Sequence, residues 1–134
     1  MTVGLSAANL VTPWLNMLKA TAFTAPAATY VELHTADPGA NGTTSVSVGS
    51  TTRLQVTTAN WTSSAAGSAL TIAASIGPWT NGGTSETLTH IAVFSAATAG
   101  TFYFSAALTT SQAWASGNTF TLTSLSVSMS PQAA

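Results

Sequence analysis

The sequence predicts a mainly β protein, an antiparallel β-sandwich of jelly-roll-like type with one N-terminal α-helix. Apolar residues recur at helical spacing only in the N-terminal segment 5–22. After Pro26 they alternate with period two, in short runs separated by turn residues. The length of 134 residues is that of one ordinary domain. We therefore expect residues 1–134 to form a single β-sandwich domain.

The predicted helix is supported by one apolar face, formed by Leu10, Val11, Trp14, Leu15, Leu18 and Ala22. Thr12 followed by Pro13 is a good N-cap and first-turn pair, so the main helix is expected to begin at Pro13 and to end near Thr21. Trp14 is expected to lie in the core.

Alternation predicts strands over residues 30–35, 53–58, 69–74 and 87–95, and from residue 102 onward. The sequence Asn81-Gly82-Gly83 predicts a loop. In the run 87–95, Leu88, His90, Ala92 and Phe94 alternate with Thr89, Ile91 and Val93. Because both faces are apolar, this strand is expected to be central, and the short connection 96–100 predicts a hairpin with the next strand.

The last predicted strand, residues 119–130, contains a change of phase. Phe120 and Leu122 share one face, whereas Leu125, Val127 and Met129 fall on the other. An extra residue near Thr123 and Ser124 predicts a bulge or a crossing between two sheets. The segment 36–52 is rich in Gly, Ser and Thr and is predicted to be a long loop or an extended arm.

The chain is unusually poor in charge. Charged residues make up 4% of it, against roughly 25% in an average domain. The net charge of −1 gives no basic surface for nucleic acid or for anionic lipid, so neither partner is expected. Little charge repulsion opposes close packing between copies, and a homo-oligomer within a large assembly is expected.

The carboxylates offer no convincing catalytic site. Glu32, Asp37 and Glu86 could supply an acid and a base, but few other polar groups are available to support them. Glu86 is expected to be solvated. Glu32, His34 and His90 show no metal-ligand spacing. We expect no enzymatic activity, no metal and no cofactor.

Arg53, the only arginine, is predicted to be a structural anchor. Its guanidinium fork suits Glu32, Asp37 or the carbonyls of a loop. Docking onto a neighbouring subunit is the alternative.

Three tryptophans, Trp61, Trp79 and Trp114, are flanked by small polar residues and form a candidate interface. Burial in the core is an alternative, and a third is a platform on which sugar rings stack.

Several segments resemble a family of small structural proteins of tailed bacteriophages. The predicted helix followed by Thr24 to Gly39 is similar to the opening of that family. Gly49 to Gln55 resembles its next element, with Thr51 where an aromatic residue usually stands. The later resemblance covers Leu88 to Phe94, Gly100 to Thr109 and Ser116 to Thr123.

The resemblance implies a subunit of the virion, assembled in the host cytoplasm beside other virion proteins. The compact size favours a capsid decoration protein that packs on the major capsid protein. The alternative is a minor tail or tail-fibre protein, with or without binding to carbohydrate on the host surface.

Overall fold

The computed structural model describes residues 3–64 and 69–129. Its N-terminal helical segment, residues 7–19, comprises a π-helical turn (Ala7–Val11), α1 (Thr12–Asn16) and a 3-10 turn (Met17–Lys19). A helix was predicted here, but it begins earlier than expected. Ser6 rather than Thr12 caps it, because the Ser6 hydroxyl accepts the Asn9 N–H at 3.3 Å. Pro13 occupies the second position of α1, where its missing N–H breaks no α-helical hydrogen bond.

The described residues contain nine strands. They are β1 (Thr29–His34), β2 (Leu54–Val56), β3 (Trp61–Ser63), β4 (Ala69–Ile72), β5 (Ile76–Thr80), β6 (Glu86–Phe94), β7 (Phe102–Trp114), β8 (Thr119–Leu122) and β9 (Ser126–Ser128). They form a four-stranded sheet in the order β2-β1-β6-β7, a three-stranded sheet β3-β4-β9 and a two-stranded sheet β5-β8. Every pairing is antiparallel. The prediction of a mainly β, antiparallel fold with an N-terminal helix is confirmed.

The sheets share one apolar core, in a sandwich-like arrangement. The four-stranded sheet contributes Val31, Leu33, Ile91, Val93 and Trp114, and the two-stranded sheet contributes Ile76, Trp79 and Leu122. Trp61, Ile72 and Val127 of the three-stranded sheet pack against the same cluster.

The strand β6 is central, as predicted, because β1 and β7 flank it. Its strict alternation is nevertheless interrupted. Leu88 pairs with Gln112 but His90 pairs with Ala107, so the register shifts at this point. Leu88 consequently lies in the main core with Ile91 and Val93, opposite to the face predicted for it.

The predicted crossing near Thr123 and Ser124 is confirmed. Before it, β8 pairs with β5, and after it β9 pairs with β4 in a different sheet. Leu125 lies between the two strands and is buried in the core. The strand was predicted to extend to Ser130, which lies outside the described residues.

The helical segment is attached to the edge of β7. Leu5 forms an antiparallel bridge with Phe104, and the Ser105 N–H donates to Gly4 O at 3.0 Å. The Asn9 side chain donates to Phe102 O at 3.0 Å. These bonds attach the helical segment to the free edge of β7 through a short bridged segment at residues 4–6.

The segment 36–53, which we call the covering loop, packs on the outer face of the four-stranded sheet. Val46 forms a bridge with His34, and the Ser47 N–H donates to Leu33 O at 2.9 Å. Gly42 lies so close to Phe94 and Phe102 that a Cβ atom there would overlap both rings. The sheet is therefore buried on both faces, which is why both faces of β6 are apolar.

Candidate functional site

Arg53 lies at the end of the covering loop and joins three parts of the chain. Its Nε donates to Glu32 Oε1 at 3.1 Å and its Nη2 donates to Glu32 Oε2 at 3.3 Å. Its Nη1 donates to the carbonyls of Ala96 and Ala99 in the turn between β6 and β7. The guanidinium carbon lies 3.4 Å from the centre of the Phe94 ring. Arg53 thus connects the loop, β1 and the β6–β7 hairpin.

Glu32 is held between two basic side chains. Besides Arg53, the Nε2 of His34 lies 3.4 Å from Glu32 Oε2. Burial alone would raise the pKa of Glu32. The hydrogen bonds and positive charge of His34 and Arg53 outweigh that effect, so the pKa lies below the ordinary value of 4.5. The carboxylate is therefore ionised at neutral pH.

This lowered pKa predicts loss of stability in acid. The folded protein binds a proton at Glu32 less readily than the unfolded chain does, so the stabilisation is present above pH 4.5 and is lost as the pH falls through the folded pKa. Chemical denaturation at a series of pH values should show the free energy of unfolding falling below that pH. Glu32→Gln should reduce this dependence of stability on pH. An identical dependence in the variant would contradict the lowered pKa of Glu32.

Asp37 lies at the start of the covering loop, and its described hydrogen bond is local. Its Oδ1 accepts the Gly39 N–H at 2.8 Å. This hydrogen bond lowers the pKa of Asp37. The arrangement is an Asx turn, in which a carboxylate oxygen fixes the turn that follows it.

Glu86 is not solvated as expected from the sequence. It opens β6, and its carboxylate accepts the Ser47 hydroxyl together with the N–H groups of Val48 and Gly49, each at 3.1 Å. A negative charge that accepts two backbone N–H groups holds the middle of the covering loop, residues 47–49, against the start of β6.

Asn81 lies beside the same part of the covering loop, because the N–H of the next residue, Gly82, donates to Gly49 O at 2.8 Å. Asn81 is 1% exposed. Its side chain donates to Thr84 O and Trp114 O and accepts the Gly83 N–H. The predicted loop at Asn81 is confirmed, but nothing in the sequence distinguished this amide from other turn residues.

The tryptophans do not form the aromatic surface that was considered from the sequence. Trp79 and Trp114 are each 2% exposed and belong to the core. Trp79 donates to Thr52 O at 2.9 Å, and the partly buried Trp61 donates to the Thr29 hydroxyl at 2.9 Å. A sugar-stacking platform made of the three side chains is excluded by the burial of two of them.

The exposed apolar residues lie elsewhere, mostly on the helical segment. Trp14, expected in the core, is 46% exposed, and Leu18 is 88% exposed. The helical apolar surface is defined by Trp14, Leu15, Met17, Leu18, Leu70 and Met129, all of which are exposed. The sequence pattern did predict an apolar helical face, but Trp14, Leu15 and Leu18 of that face are exposed in the structure.

Two open hollows adjoin this surface. One, of about 330 Å³, lies between Trp14 on α1, Leu70 on β4 and Met129 just after β9. The other, of about 320 Å³, is lined by Trp61, Tyr103 and Phe104 among others. They share the walls Leu10, Phe23, Leu70 and Val127. Their apolar linings suit the apolar side chains of a partner better than a polar small molecule.

Within residues 3–64 and 69–129, no group of three His, Asp or Glu side chains is arranged to hold a metal ion. None of the helices in this part of the chain is long and apolar enough to cross a membrane.

A β-rich domain whose carboxylates and single arginine make contacts within the chain, and which exposes an apolar surface, is characteristic of a structural subunit. The family model described as podophage GP4 fiber I protein gp80 matches residues 7–130. The chain belongs to this family of phage fibre proteins, which confirms the resemblance to structural proteins of tailed phages. No curated protein matches the sequence.

Proposed function

We propose that the protein is a non-catalytic subunit of a podophage tail fibre and that it self-associates through the helical apolar surface. The exposure of this surface is the observation that carries the proposal. Six large apolar side chains are exposed to water in the single chain, and an assembly would bury them.

The charges of the chain support the same role. Glu32 and Glu86 are each bound by several donors, so neither is available as a free acid or base. Arg53 is 11% exposed at its side chain and fully engaged within the subunit. Contacts between copies would therefore require little desolvation of charge, which is the main cost that opposes burial of a polar surface.

The family supports the fibre alternative better than the capsid decoration preferred from the sequence. Labelling the protein in purified particles distinguishes a tail-fibre subunit from a capsid decoration protein. An antibody or gold label seen by electron microscopy should mark fibres at the tail. Label spread over the head would favour decoration instead, and absence from the particle would overturn a virion role altogether.

A further inference from the structure

We propose that the N-terminal arm, residues 4–19, is exchanged between copies of the chain, so that the arm of one copy binds the edge of β7 in another. The inference rests on the self-association proposed above and specifies how the copies are joined. Residues 4–6 keep the pairing with β7 that they make within one chain, but the pairing then connects two chains. Such an exchange is a low-cost route to an oligomer, because it reuses contacts that the fold already has.

The hydrogen bonds of the arm hold it to a single strand. Within the described residues, the hydrogen bonds that join residues 4–19 to the rest of the domain all go to backbone groups of β7. The Ser6 N–H donates to Tyr103 O at 2.6 Å, beside the bonds of Gly4 and Asn9 described above. Because the groups on β7 are main-chain atoms, an identical copy offers the same edge to a second arm.

The rest of the arm packs loosely on its own chain. None of residues 7–19, all of which the structure describes, is buried. The two open hollows, of about 320 and 330 Å³, are both lined by Leu10 of the arm together with Leu70 and Val127 of the three-stranded sheet. Close packing normally fixes an element in place, so little contact is lost when this arm leaves its own chain. Helices shorter than roughly 12–15 residues are marginal in water, and a second copy provides the missing neighbours.

Ala20 is a strained hinge directly after the arm. Its φ of 57° and ψ of 24° place it in the left-handed region, which suits glycine and disfavours alanine. An extended backbone at Ala20 removes this strain and redirects the arm. Opening at Ala20 therefore favours the exchanged form, because only the closed form requires the left-handed conformation.

The linker between the arm and β1 is long enough to reach another copy. It consists of the nine residues between Lys19 and Thr29, all described, which form neither helix nor strand. Fully extended, these residues span about 30 Å, at roughly 3.3 Å per residue. The linker contains no charged side chain, so its passage between two copies desolvates no charge.

A disulfide trap tests the exchange, because the chain contains no cysteine. Leu5 and Phe104 form a non-hydrogen-bonded antiparallel pair. The Cα atoms of such a pair lie roughly 4.5 Å apart, within the range that a disulfide spans. In Leu5→Cys combined with Phe104→Cys, oxidation of the assembled protein should link chains to one another. Denaturing electrophoresis without reductant should show covalent dimers or larger species, whereas Leu5→Cys alone, the matched control, should show monomers.

The trap separates failure of the exchange from failure of self-association. Disulfides within single chains, in a protein that still sediments as an oligomer, would overturn the exchange and leave the proposed self-association standing. A wild-type protein that is monomeric at every concentration would overturn both.

Ala20→Gly tests the hinge without altering the core. Glycine accepts the left-handed conformation, so this variant should favour the closed single chain and weaken association by about tenfold. Ala99→Gly is the matched control, since Ala99 has a φ of 52° in the turn between β6 and β7, where exchange leaves the backbone unchanged. By sedimentation velocity, Ala99→Gly should associate as the wild type does. Equal association of Ala20→Gly and the wild type would overturn the exchange, and if the double cysteine variant does not fold, this comparison decides alone.

Discussion

Replacement of Arg53 by alanine is expected to lower the free energy of unfolding by about 3–5 kcal/mol, the cost of removing one partner from a buried ion pair. The variant leaves Glu32, which is 6% exposed, without the cation that offsets its burial. It also removes the donors to Ala96 O and Ala99 O and uncovers the Phe94 ring.

Lys19→Ala is the matched control, because Lys19 is the other basic residue with a permanent charge and is exposed. Its free energy of unfolding should change by no more than about 0.5 kcal/mol. Arg53→Lys should fall between the two, since lysine keeps the charge but not the two-pronged geometry. Urea denaturation at neutral pH measures the free energy of unfolding of all three variants. A change below about 1 kcal/mol for Arg53→Ala would contradict the anchoring role.

The strands that could be predicted from the sequence are those with a long and regular alternation. The central position of β6 followed from apolar residues on both of its faces, and the crossing after β8 followed from a change of phase. The face of Leu88 could not be predicted, because the register shift depends on the residues opposite in β7. β3 and β5 were missed because neither shows a clear alternation: β3 has a single large apolar residue, Trp61, and Gly77 and Pro78 interrupt β5, although Pro78 is typical of an edge strand.

The ion pair between Arg53 and Glu32 could be predicted in part from the composition. A lone arginine in a chain with three carboxylates has few partners, and Glu32 was among those named for it. The contacts of Glu86 could not be predicted from the sequence, because Ser47 is 39 residues away along the chain. The other two donors are backbone N–H groups, which every residue except proline has. The exposure of Trp14 was missed for a related reason. Periodicity identifies an apolar helical face but not how deeply that face is buried.

Replacement of two residues of the helical apolar surface, Trp14 and Leu18, is expected to weaken self-association strongly. In Trp14→Gln combined with Leu18→Ser, two large apolar side chains are lost, and each is worth about 1.5–3 kcal/mol when fully buried. The pair should therefore weaken association by about 100-fold or more, since each 1.4 kcal/mol is about tenfold. The fold should be little affected, because Leu18 is 88% exposed in the single chain.

Val48→Ser provides the control, since Val48 is 67% exposed but lies on the covering loop. Sedimentation velocity over a range of protein concentrations is the measurement that tests self-association through the helical apolar surface most directly. The wild-type protein and Val48→Ser should sediment as the same oligomer, and the Trp14 and Leu18 double variant as a folded monomer. A wild-type protein that stays monomeric at every concentration, or a double variant that assembles as the wild type does, would contradict self-association through this surface.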